Sequence, residues 1–138
     1  MHILMCNDDG ILADGLRHLA SYLSQYYRIT VVAPANEQSA KSHALTTEVP
    51  LKLDACNGED ENPRLYALTG TPSDCMKFGL SYLLTDDMPD LVISGINHGF
   101  NLGSDVLYSG TVSAAMESGF YGIPGLALSV ERYSVERG

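Results

Sequence analysis

Short apolar runs bounded by polar loops alternate along this chain with stretches whose apolar residues recur every three or four positions. The first run, His2-Ile3-Leu4-Met5-Cys6, breaks at Asn7-Asp8-Asp9-Gly10 and reads as a buried strand ending in a polar loop. Leu16, Leu19, Ala20 and Leu23 then fall on one face of a helix, with Asp14 as its N-cap or first-turn acid and an end expected near Tyr26-Tyr27. A β-branched strand, Ile29-Thr30-Val31-Val32-Ala33, stops at Pro34. Residues 35–45 are polar and irregular, and alternation resumes from Thr46 to Leu53. An acidic turn from Asn57 to Pro63 and the run Leu65-Tyr66-Ala67-Leu68 follow, a pattern that predicts a surface hairpin inserted into the fold. Thr71-Pro72-Ser73-Asp74 opens a second helix with proline at an early position, and Met76, Leu80, Leu83 and Leu84 form its apolar face. Leu91-Val92-Ile93-Ser94 is a further buried strand, and a Gly- and Asn-rich loop is expected from Gly95 to Gly110. A small-residue helix over Thr111 to Phe120 and a last strand over Gly125 to Val130 complete the pattern.

Strands that alternate with helices predict an α/β fold, here a Rossmann-like three-layer αβα sandwich with a largely parallel sheet and helices on both faces. Ligands of such sheets collect at the carboxyl ends of the strands. That rule gathers three polar segments on one edge: Asn7-Asp8-Asp9-Gly10, the loop around Ser39, and Ser94-Gly95-Ile96-Asn97.

Composition removes several alternatives. A chain of 138 residues is one domain's worth, and a fold of that size buries roughly 68% of its extended surface, enough for a core without disulfides. The formal net charge of −9, with eight Lys and Arg residues scattered along the chain, builds no basic stripe and excludes a broad nucleic-acid surface. Any phosphate is therefore met locally, by backbone amides or a metal. Cys6, Cys56 and Cys75 are odd in number and lack CxxC spacing, so neither a disulfide framework nor a zinc site is expected. No basic segment with a long apolar stretch precedes the first strand, and no window approaches the ~20 apolar residues of a membrane span, so the expected compartment is the cytoplasm, with no membrane partner.

Candidate chemistry centres on Asp8 and Asp9. Two adjacent carboxylates at a strand end repel, and a hard divalent cation held by oxygen ligands is the simplest compensation. Read alone, Asp-Asp-Gly is as readily a tight turn, and Asn97 and Asn101 are as readily loop caps. The segment Tyr108-Ser109-Gly110-Thr111-Val112-Ser113-Ala114-Ala115 brings hydroxyls and a glycine to the mouth of a helix. Free amides there, aided by the helix dipole, make an anion site, although an ordinary Ser/Thr cap has the same sequence signature. The histidines show no HxxxH or HExxH spacing.

Taken jointly, the segments resemble the SurE family of nucleoside monophosphate phosphatases, in order and in spacing over nearly the whole chain. The resemblance is carried by Asn7-Asp8-Asp9-Gly10, Gln38-Ser39, Ser42-His43-Ala44-Leu45-Thr46, Gly70-Thr71-Pro72-Ser73-Asp74-Cys75, the run from Ser94 to Gly103, and Tyr108-Ser109-Gly110-Thr111-Val112-Ser113-Ala114-Ala115. It implies that Asp8, Asp9, Ser39 and Asn97 ligate one divalent metal ion, Mg²⁺ or Mn²⁺, with Asp8 and Asp9 as the catalytic pair. It implies further that nucleoside 5′- and 3′-monophosphates are hydrolysed, with Asn101, Ser109, Gly110 and Thr111 as candidates for holding the phosphate. Attack by a water and passage through an aspartyl phosphate both remain open. By the same resemblance residues 1–138 form a SurE-like phosphatase domain without the family's C-terminal part, and a homo-oligomer is expected of the full-length family. Two rival readings are a non-catalytic metal- or nucleotide-binding relative and a degenerate receiver domain, the latter opposed by Ser94 where a receiver needs a phosphate-accepting aspartate.

Overall fold

The computed structural model describes residues 1–36, 50–98 and 110–130. Its elements, in chain order, are β1 (His2–Cys6), α1 (Asp14–Leu23), β2 (Arg28–Pro34), β3 (Leu53–Ala55), β4 (Arg64–Leu68), α2 (Pro72–Phe78) with a π-helical turn (Gly79–Leu83), β5 (Leu91–His98), α3 (Gly110–Glu117) with a 3₁₀ turn (Ser118–Tyr121), and β6 (Gly125–Val130). The six strands form one sheet in the order β3-β4-β2-β1-β5-β6. Every pairing is parallel except β3 with β4.

Alternate side chains along the strands build two separate cores. Ile3, Met5, Val31, Ala33 and Ile93 pack with Leu16 and Ala20 of α1 on one face. Leu4, Cys6, Val32 and Val92 pack with Cys75, Met76, Leu80 and Ala114 on the other, beneath α2, its π-helical turn and α3. The layers are therefore helix, sheet, helix, and β1 is buried along its whole length because both of its faces are covered. Cys6 and Cys75 lie in the second core as free thiols. Burial, with the Cys6 thiol beside it, raises the Cys75 thiol well above its ordinary value.

Local chemistry accounts for several boundaries. Asp14 is the first residue of α1 and its first-turn acid; the N-cap is Ala13, which has no side-chain cap. Thr71 caps α2 in a reciprocal box: its hydroxyl accepts from the Asp74 amide at 3.2 Å, and the Asp74 carboxylate accepts from the Thr71 amide at 2.8 Å, with Pro72 in the first turn.

Three features differ from the sequence reading, each through contacts distant in sequence. Helix α1 stops at Leu23, before Tyr26-Tyr27. The Asn62 side chain from the hairpin loop donates to the carbonyls of Ser24 and Tyr27, at 3.0 and 3.1 Å, and so holds the chain as it leaves the helix. The hairpin is not a separate surface feature, since its return strand β4 pairs in parallel with β2 and belongs to the main sheet, leaving only the three-residue β3 as an antiparallel edge. Strand β5 runs through Gly95 to His98, where a loop was expected, because Asn97 and His98 pair with Ser129 and Val130 of β6 beyond an irregularity between Ser94 and Asn97.

Candidate functional site

The chain order places a switch point beside β1. From β1 the chain moves through α1 to β2 and outward, then crosses by α2 to β5 on the other side of β1 and on to β6. Connections therefore leave the carboxyl ends of β1 and β5 toward opposite faces, which opens the crevice where α/β sheets bind ligands. The carboxyl end of β1 lies beside the middle of β5, with Cys6 paired to Ser94, and β5 continues past it to His98. Asp8 and Asp9 follow the first, and Asn97 lies near the end of the second.

The loop after β1 is fixed by its own residues. The buried Asn7 side chain accepts from the Gly10 amide at 3.1 Å and donates to the Gly10 carbonyl at 2.9 Å, closing a turn around Asp8 and Asp9. Gly10 has φ +105°, a conformation glycine adopts without steric cost. The next amide, of Ile11, donates to the Pro34 carbonyl at 2.8 Å and ties this loop to the end of β2. Asp8 is buried and Asp9 is half-buried.

On the neighbouring strand, Gly95 has φ +143°, and a Cβ there would lie 2.6 Å from the Leu128 carbonyl oxygen. Only glycine admits β6 so close to the irregularity that precedes Asn97. Helix α3 begins at Gly110, and in its first turn Thr111 is completely buried. The Thr111 hydroxyl donates to Asp8 Oδ1 at 3.2 Å, joining the helix mouth to the acidic loop.

Asp8 and Thr111 are joined by a hydrogen bond, Asp9 and Gly110 adjoin them in the chain, and Asn97 lies in β5, the strand next to β1, whereas Ser39, Asn101 and Ser109 lie outside the described residues. The sequence reading of Asn97 as a loop residue is corrected, since it is held in a strand. Thr111 was expected at a phosphate; its hydroxyl is turned to Asp8. Two contributors were not singled out, the turn-closing Asn7 and the close-approach Gly95. An Asn three residues before a glycine is a readable turn signal, whereas nothing local to Gly95 announces the approach of β6.

The donors suit a hard divalent cation, because Asp8, Asp9 and Asn97 offer oxygen and two adjacent carboxylates on a largely buried loop call for positive charge. Among the described residues no group of three or more His, Cys, Asp or Glu could hold a metal ion, so the carboxylates need the amide of Asn97 or a further oxygen donor to complete a set. A groove of about 820 Å³ at the opposite end of the sheet is also acid-lined. Its Asp87 is engaged by Arg28 and its Asp90 by the His2 amide, and among the described residues its acids form no group that could hold a metal ion.

Comparison with known proteins bears on the family and the fold. The family model described as survival protein SurE matches residues 3–137. The 5′-nucleotidase SurE of Thermoanaerobacter sp. (strain X514) is 54% identical over 129 residues, covering 94% of this chain and 50% of the relative. That of Thermosipho africanus is 52% identical over 99% of this chain and 52% of its own length, and that of Vibrio vulnificus (strain YJ016) is 50% identical over 94% and 49%. The crystal structure of the SurE protein from Aquifex aeolicus superposes with a TM-score of 0.84 at 42% identity, over 94% of this chain and 50% of that one. The chain spans about half the length of the curated relatives it matches. With the family model matched over residues 3–137, and the fold shared with a solved member, this chain belongs to the SurE family.

Proposed function

We propose that residues 1–138 carry the metal and phosphate sites of a nucleotide phosphomonoesterase, which releases inorganic phosphate from nucleoside 5′-monophosphates and from 3′-monophosphates. The observation that carries this reading is the hydrogen bond between Asp8 and Thr111, which joins an acidic oxygen-donor loop to a helix N-terminus at the switch point of the sheet. The relatives named 5′-nucleotidase support the substrate class.

In this reading Asp8, Asp9, Asn97 and Ser39 hold one Mg²⁺ or Mn²⁺. When bound, the ion supplies Lewis-acid polarisation of a phosphoryl oxygen. The amides of Gly110 and Thr111 at the mouth of α3, with Asn101 and Ser109, bind the remaining phosphoryl oxygens and stabilise the charge that develops on them. Asp8 or Asp9 accepts the proton of a water that attacks phosphorus in line with the departing nucleoside oxygen, which leaves as the alcohol after taking up a proton. Positioning and electrostatics supply most of the acceleration, since the phosphoryl group needs little covalent help.

The test is inorganic phosphate release from a panel of nucleoside monophosphates with Mn²⁺, Mg²⁺ or EDTA, for this chain and its Asp9→Asn variant. Metal-dependent release, lowered by at least about a hundredfold in the variant, is expected for a group acting in proton transfer. A folded chain that binds Mn²⁺ yet releases no phosphate contradicts catalysis and selects the second reading, a non-catalytic metal- and nucleotide-binding module.

A further inference from the structure

We infer that Thr111 is a positioning residue: its hydroxyl fixes the orientation of Asp8 and locks the first turn of α3 in register with the loop after β1. The inference rests on the reading of Asp8 as a metal ligand, and it assigns the Thr111 hydroxyl, as distinct from the Thr111 amide, a task other than contact with phosphate.

Thr111 is 0% exposed and Asp8 is 7% exposed, and the bond between them at 3.2 Å spans 103 positions of sequence. A hydroxyl so enclosed and already committed to a carboxylate is poorly placed to bind a substrate arriving from solvent. Its position is set by the core. Ala114, nearly one helical turn further along α3, packs in the same apolar layer as Cys6 at the end of β1, so the inner face of α3 and the strand carrying Asp8 are held against each other. Threonine adds stiffness of its own, because a β-branched side chain has few χ1 states to choose from. The donor therefore stands ready before any ligand arrives, and Asp8 gives up less rotamer freedom when it binds a cation. The same bond gives the metal carboxylate and the first turn of α3 one shared reference.

The test uses Thr111→Val, which keeps the shape and removes the hydroxyl, and Thr111→Ser, which keeps the hydroxyl and removes the methyl group. Titration calorimetry with Mn²⁺ is expected to show affinity weakened by about tenfold or more in the valine variant and retained in the serine variant. If the valine variant does not fold, Thr111→Ala against Thr111→Ser reads the same contrast. Equal Mn²⁺ affinity in wild type and Thr111→Val overturns the inference, as does equal loss in the valine and serine variants, which marks a packing role only. A second measurement needs no metal: urea unfolding in EDTA of wild type, Thr111→Val, Asp8→Ala and the double variant. The bond predicts non-additive effects, and strict additivity overturns it. A wild-type chain that binds no Mn²⁺ refutes the metal reading alone, and the unfolding cycle then decides on Thr111.

Discussion

Replacing Gly95 by alanine tests whether the irregularity in β5 builds the site. The substitution meets two obstacles that add. The backbone at this position has φ +143°, a region open essentially to glycine, and holding a residue with a Cβ there costs about 1–3 kcal/mol. The new methyl group would also sit 2.6 Å from the Leu128 carbonyl oxygen and 3.1 Å from the Leu128 Cβ. Relief requires β6 to move away from β5, and overpacking of this kind costs about 1–3 kcal/mol. The sum, about 2–6 kcal/mol, is a large part of the ~5–15 kcal/mol that holds a domain folded. Urea unfolding followed by circular dichroism should show the midpoint falling with little change in slope. Because Asn97 is paired to Ser129 just beyond the irregularity, Mn²⁺ affinity should fall as well, at urea concentrations where the variant is still folded. A variant within about 0.5 kcal/mol of wild type, with unchanged Mn²⁺ affinity, refutes the argument that close approach of β6 requires glycine and sets the position of Asn97.

Two further perturbations probe the frame around the site. Thr71→Ala removes one half of the capping box of α2 and should cost about 1 kcal/mol, lowering the thermal midpoint by about 3–5 °C for a domain of this size; Thr71→Ser should recover most of the loss, and a midpoint unchanged in the alanine variant argues against the box. His2 is buried against Thr30 at 2.8 Å, and its pKa is lowered from 6.5 chiefly by burial and then by the charge of Arg28. The folded chain therefore takes up this proton at lower pH than the unfolded chain, so the contribution is complete above pH 6.5 and is lost as the pH falls toward the folded value. Stability should drop between pH 7 and about pH 5 more steeply in wild type than in His2→Gln, as read by urea midpoints across that range, and parallel profiles count against the assignment.

Much of the fold is written locally. The run His2–Cys6 is apolar at almost every position because β1 is covered on both faces, and the spacing of Leu16, Leu19, Ala20 and Leu23 marks the inner face of α1. Thr71-Pro72-Ser73-Asp74 specifies its own helix start through bonds made within four residues. Asn7 and Gly10 close the turn that presents Asp8 and Asp9, again through short-range contacts. Such features are legible because period, propensity and capping act between near neighbours, and they sufficed to pick out the acidic loop and the helix mouth as candidates.

What tertiary structure alone decided are the contacts between residues far apart in the chain. The end of α1 depends on Asn62, which arrives from the hairpin loop some forty positions later. The length of β5 depends on Ser129 and Val130, partners that no pattern within residues 91–98 can announce. The orientation of Thr111 toward Asp8 follows from the packing of α3 over β1. The amino-acid sequence by itself thus determined which elements form and which residues are candidates for a metal or a phosphate. Pairing, register and layer packing decided which of those residues meet, because these depend on the joint geometry of distant segments rather than on the preferences of any one of them.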